Sequence, residues 1–315
     1  MSKNIIIIGA GISGMSTACL LAGKNHHLTI CAAAFSPNIT SNKAAAFWFP
    51  YHIRNDKRGI EWCNISYQYY KAFAEQPETG VSFRQLIKVL GTGTTEAETT
   101  WIDFMPKGSY RQMKQQELPP GIIEAYDITV PLIETQIFLP WLQEDLVKKG
   151  VTIIEQEIYE LEELTSHYDV VINCSALGAR KLCKDENVIP VRGQVALLEP
   201  LTGMPIYLDN EKPLYIVPRK DAIIVGGTYE PGIETAFTEP ATIEQLLKNA
   251  YEVFPVLKKQ QVTGSWAGIR PYRAEVRLER EKNKNIIHNY GHGGSGFTLA
   301  FGCAETVAAI VAADF

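Results

Sequence analysis

The chain has 315 residues, 46% of them hydrophobic and 21% charged, and a formal net charge of −5. That length buries a large core, as two domains or one interleaved pair, and the composition is that of a globular enzyme. A mildly acidic chain with no basic stripe excludes a nucleic-acid surface.

Ile5-Ile6-Ile7-Ile8 reads as a buried strand, residues 11–24 as a helix and residues 28–33 as a second strand. This is a complete βαβ opening. A polar loop, Pro37 to Asn42, leads into Lys43-Ala44-Ala45-Ala46-Phe47-Trp48-Phe49, an alanine run ending in aromatics that can lie flat on a ring system or pack a domain interface. Residues 60–75 read as a helix, and residues 81–131 alternate and turn as antiparallel sheet does. A helix is expected over 134–149 despite Pro140, followed by parallel-type strands at Val151–Ile154 and Val170–Cys174. Short β runs return over 192–228. A helix over 242–254, an alternating strand over 262–269, a strand over 285–290 and a helix over 296–312 close the chain.

Two compositions therefore alternate. The expected fold is α/β, a Rossmann-like nucleotide-binding domain (1–50, 134–190 and 283–315) with an inserted, largely antiparallel β domain (51–133 and 191–282). No apolar run reads as membrane-spanning, the start lacks a signal-peptide pattern, and Ala313-Asp314-Phe315 is not a peroxisomal address. The six cysteines form no C-x-x-C and mostly sit in apolar runs, so reduced thiols in a cytoplasmic protein are expected. The six histidines have no ligand spacing, and no metal site is expected.

Two glycine-rich turns carry the chemistry. Gly9-Ala10-Gly11-Ile12-Ser13-Gly14 follows the first strand, and G-x-G-x-x-G there lets the backbone approach a pyrophosphate on a helix N-terminus. The carboxylate that usually ends the second strand and binds the adenosine ribose is missing: the stretch reads Cys31-Ala32-Ala33-Ala34. The second turn, Gly291-His292-Gly293-Gly294-Ser295-Gly296-Phe297-Thr298, also opens a helix, whose positive end suits a developing anion, a phosphate or a structural turn. Arg270, in Arg270-Pro271-Tyr272-Arg273 at a strand end, reads either as a clamp for a substrate carboxylate or as an internal ion pair with Glu275 or Glu279.

Taken together, Gly268-Ile269-Arg270-Pro271-Tyr272-Arg273, Val276 to Arg280, His288 to Thr298, Pro50-Tyr51, Arg192-Gly193-Gln194 and Tyr215-Ile216-Val217-Pro218 resemble the D-amino-acid oxidase and D-aspartate oxidase family. The resemblance implies FAD as cofactor, and a D-amino acid and molecular oxygen as partners. It places a carboxylate-binding role on Arg270 and Tyr215 and an amine-binding carbonyl on Gly294. It assigns Thr298 to the flavin C2=O, residues 44–47 to one flavin face, and Thr40 and Ser41 to the phosphates and ribityl chain. It adds Ile158, Ser175, Gly293, Gly296 and Phe297 to the cofactor site. The reaction implied is hydride transfer from the substrate Cα to flavin N5, with no protein general base. An electron acceptor other than oxygen, or a non-catalytic relative, stays open, as does a homodimer. Departures are Ala33 and Ala34, a short Asn210-Glu211-Lys212 loop without a lid tyrosine, Lys43, Phe49 and Ser295. From these, FAD held more weakly and an open pocket lined by Phe47, Phe49, Tyr51 and Tyr207 are expected. Lys43 or Lys212 reaching an acidic side chain is the lesser alternative.

Overall fold

The protein is described from a computed structural model, which covers residues 2–91, 99–119 and 121–313. β1 (Asn4–Ile8) is buried on both faces, which its unbroken isoleucine run dictates. α1 (Ile12–Ala22) lies against it, and β2 (His27–Ala32) returns parallel to β1. β6 (Thr152–Glu155) and β7 (Val170–Asn173) extend this parallel block on either side, and β14 (Ile286–His292) joins β7, also parallel.

The rest of the sheet is mainly antiparallel. It contains β3 (Val81–Leu90), β4 (Tyr110–Gln112), β5 (Glu124–Ile133), β8 (Ile189–Leu198), β9 (Ile206–Asp209), β10 (Leu214–Pro218) and β11 (Ile223–Gly226), with the two-residue β12 (Glu230–Pro231) on β8. The exception is β3, which pairs parallel with β9. β13 (Val262–Arg280) joins the two blocks, giving the order β4-β5-β3-β9-β10-β11-β8-β13-β14-β7-β1-β2-β6. β13 is longer than the expected 262–269. It pairs with β8 as far as Tyr272 and with β14 from Tyr272 to Arg280, so Arg270 stands in mid-strand rather than at a strand end. Pro271, which has no N–H to donate, falls where β13 changes partner, opposite Pro190, and its carbonyl accepts from Gly293 N–H at 2.9 Å.

The main core lies on one face of the parallel block. There Ile5, Ile7 and Ile30 meet α1, α2 (Lys57–Ala74), α3 (Thr135–Lys148) and α6 (Gly296–Ala313). α6 corrects the reading that no run is long enough for a membrane. By length and composition it passes, with a mean hydropathy of 1.7, yet 61% of it is buried within the protein. Its apolar surface packs on α1 and α2, and a Cβ at Gly302 would stand 2.3 Å from Trp62 O. Ile6, Ile8, Cys31 and Val171 form a smaller cluster on the opposite face. A third cluster, with Ile87, Ala196, Tyr207 and Val225, lies under Leu246 and Ala250 of α5 (Pro240–Val253). The short α4 (Ala179–Leu182) leads into β8.

Candidate active site

The first turn is shaped by close packing. Gly9 has φ 110°, and a Cβ there would stand 2.4 Å from Cys174 O. A Cβ at Gly14 would stand 1.9 Å from Gly9 O, so only glycine lets α1 sit this close to β1. Gly11 caps α1 without a side-chain bond, and no acid stands in the first turn. Of the open N–H groups, that of Ile12 donates to Ser41 Oγ at 3.0 Å. The second turn is fixed differently. Gly293 has φ 56°, Ser295 N–H donates to His292 O at 2.9 Å, and the Ser295 hydroxyl donates to Tyr51 O. α6 starts directly behind it, again without an acid in its first turn.

Both turns open into one cleft of about 520 Å³. Gly11, Ile12 and Ser13 line it from the first turn, and Gly293, Gly294, Gly296, Phe297 and Thr298 from the second. Thr40, Ser41 and the run Ala44, Ala45, Ala46 and Phe47 form one wall. Thr298 is tied to that wall: its hydroxyl donates to Phe49 O at 2.9 Å. Arg270 and Tyr215 line the far end. Gly9, Ala10 and Gly14 stand behind the first turn, outside the lining. So do Ile158, packed against the smaller cluster around Ile6 and Ile8, and Ser175. The Ser175 Oγ is buried with no hydrogen-bond partner among the described residues, beside Gly9.

Arg270 is held by backbone rather than by an acid. Its Nη1 donates to Thr228 O at 3.1 Å, and its guanidinium lies on Gly193, where a Cβ would come within 2.2 Å. Glu275 is taken by Arg54, and Glu279 by Arg277 at 2.8 Å. No carboxylate among the described residues pairs with Arg270, which removes the internal ion-pair reading. The Tyr215 ring lies over Gly226, where a Cβ would stand 2.2 Å away. Burial pushes its phenol above the ordinary value and Arg270 opposes this, so Tyr215 remains an O–H donor. Tyr51 and Tyr229 are raised by burial in the same way. Burial lowers His52, with Arg270 adding to the effect, and lowers His292 to about 4. One guanidinium surrounded by neutral O–H donors is a receptor for a carboxylate.

The sequence reading missed His52, Thr228 and Tyr229. The only signal was their place: Thr228 and Tyr229 follow Gly226-Gly227 at the end of β11, and His52 follows Tyr51. Two expected pocket residues stand elsewhere. Tyr207 is fully buried under α5, with Phe254 at 5.5 Å, because the alternation of β9 turns it away from the cleft. Lys212 is exposed and pairs with Glu252. Lys43, Phe49 and Tyr51 do line the cleft. Ala33 and Ala34 follow β2 directly, with no acid there.

Residues 4–310 match the family described as FAD dependent oxidoreductase (DAO). The chain belongs to this family. It is 35% identical to a D-amino-acid oxidase of Rubrobacter xylanophilus over 98% of this chain and 95% of that protein. It is 28% identical to a human D-aspartate oxidase, covering 98% of this chain and 95% of the relative. The fold is shared with a glycine oxidase from Bacillus cereus, at TM-score 0.84 and 19% identity, covering 98% of this chain and 97% of that one. The cleft fits the family's FAD. Two helix N-termini without an acid in their first turn and a wall of small residues suit a long, flat, anionic group.

Proposed function

We propose that this protein is an FAD-dependent oxidase of D-amino acids, yielding 2-oxo acids, ammonia and hydrogen peroxide. The observation that carries the reading is Arg270. It is a half-buried guanidinium without a carboxylate partner among the described residues, at the end of the cleft that both glycine turns share. Gly11 to Ser13, Thr40 and Ser41 hold the pyrophosphate and its neighbourhood. Residues 44–47 and 293–298 hold the ring. Bound FAD supplies the two-electron acceptor for the substrate's α-hydrogen. Arg270 and Tyr215 grip the carboxylate, and the Gly294 carbonyl receives the amine, which fixes which hydrogen faces the cofactor. Burial lowers both His52 and His292, which weakens them as bases, and the reading assigns neither that role. The discontinuous division read from the sequence, with the cofactor domain at 1–50, 134–190 and 283–315, is the matching proposal for domains, and the cytoplasm for location.

The test is direct. Purified protein should be yellow, with a bound-flavin spectrum. D-amino acids should bleach it without air, and with air they should generate peroxide. Bleaching without peroxide would point to another electron acceptor. Colourless protein that takes up no FAD would overturn the reading.

A further inference from the structure

Of the side chains lining the cleft, two are positively charged, Lys43 and Arg270. Arg270 faces the substrate carboxylate, which neutralises it. Lys43 has no such partner: no carboxylate among the described residues lies within ion-pair distance of its ammonium. Lys43 is exposed, but its side chain has neighbours. Nζ sits 5.3 Å from the centre of the Trp266 ring, and Trp266 Nε1–H donates to Lys43 O at 3.2 Å. Its stem lies on Gly268, where a Cβ would stand 3.1 Å from Lys43 Cβ. Gly268 pairs with Gly193 across β13 and β8, and Gly193 is the glycine that carries the Arg270 guanidinium. The Lys43 stem and the Arg270 guanidinium therefore lie on two paired glycines, and the Lys43 ammonium extends from there over Trp266. Arg219, which also lies over the Trp266 ring, is paired with Asp221 at 2.5 Å.

We infer that Lys43 is the cation that serves oxygen reduction. The inference rests on the oxidase reading above. In the second half of that reaction O₂ takes up two electrons, those removed from the amino acid, and two protons, and leaves as hydrogen peroxide. The first electron converts a neutral molecule into an anion inside the cleft. An ammonium without a carboxylate partner beside the cleft lowers the cost of that charge. Arg270 is poorly placed for the task, because substrate or product occupies it.

The experiment separates the two half-reactions in Lys43→Met and Lys43→Arg holoenzymes. Enzyme reduced chemically by dithionite, with no amino acid present but with a saturating simple carboxylate such as acetate to occupy Arg270, is mixed with O₂ in a stopped-flow instrument. Lys43→Met should react about tenfold or more slowly, and Lys43→Arg should keep most of the rate. Anaerobic reduction by D-alanine should be little changed. Sulfite, an anion that adds to oxidised flavin, should bind Lys43→Met more weakly in a spectral titration, a readout independent of turnover. An unchanged O₂ rate in Lys43→Met overturns the inference. So does a loss confined to reduction by D-aspartate, which would make Lys43 a contact for the substrate side chain. Because the O₂ arm needs no amino acid, it still reads out if D-amino acids prove not to be substrates.

Discussion

At Gly193 the space of a side chain is filled by the guanidinium of Arg270, and at Gly226 by the ring of Tyr215. On the proposed reading these glycines belong to the substrate site although neither bears a functional group. Gly193→Ala should push Arg270 off its floor and raise KM for D-amino acids while FAD stays bound, as steady-state kinetics and the flavin spectrum will show. Arg270→Ala should cost about 2–5 kcal/mol in kcat/KM, the range for removing one member of a buried charged pair. Tyr215→Phe should cost less, about 0.5–1.5 kcal/mol, because one neutral donor is lost. If Arg270→Ala retains near-normal kcat/KM, the carboxylate is bound elsewhere. The residues around Arg270 left both a clamp and an internal ion pair open. The family resemblance favoured the clamp, and the pairing of Glu275 with Arg54 and of Glu279 with Arg277 removes the ion pair. Tyr229 was not legible, since a tyrosine after a strand carries no mark of which way it faces.

Among elements, the β1-α1-β2 unit is the part the sequence specifies most fully. An isoleucine run, three glycines at fixed spacing and a helix of small residues leave one way to pack. Gly14→Val should therefore disrupt the helix–strand contact, where even a Cβ would stand 1.9 Å from Gly9 O. The expected result is colourless protein with a lowered melting temperature. Gly11→Val meets only Ser41 Oγ at 3.1 Å, so it should lose FAD with less damage to the fold. Comparing Tm with flavin content separates these cases. β13 was the element least legible in advance. Its pattern breaks at Arg270-Pro271, which mimics a strand end. The strand continues because β14 replaces β8 as its partner there, and that is a long-range fact no local pattern records. Tyr207 was misplaced for a related reason, as a one-residue change in alternation moves a side chain to the other face.

For the whole molecule, acid should be destabilising well above the range where carboxylates titrate. His292 is depressed to about 4 by burial, and His288 and His52 move the same way. An ordinary histidine titrates near 6.5. Between about pH 6.5 and 4 the unfolded chain takes up protons that the folded chain refuses, so stability is lost as pH falls through that window. One fully buried histidine contributes at most about 1.4 kcal/mol per pH unit, and His292, which is half-buried, contributes less. Urea melts at pH 7 and pH 5 should show the loss, and His292→Asn should flatten it. FAD should raise the melting temperature, by about 2.7 kcal/mol of stability at a hundredfold excess over its Kd, because it touches elements from both parts of the sheet. Those parts meet on one strand. Arg270 sits on β13, and the very next residue, Pro271, holds Gly293 of the cofactor turn at 2.9 Å. The separation between substrate anchor and cofactor turn is thus a ruler cut into the backbone, with no hinge across it. Evolution can redraw the walls to suit new side chains, yet every substrate must present its α-carbon at the same mark.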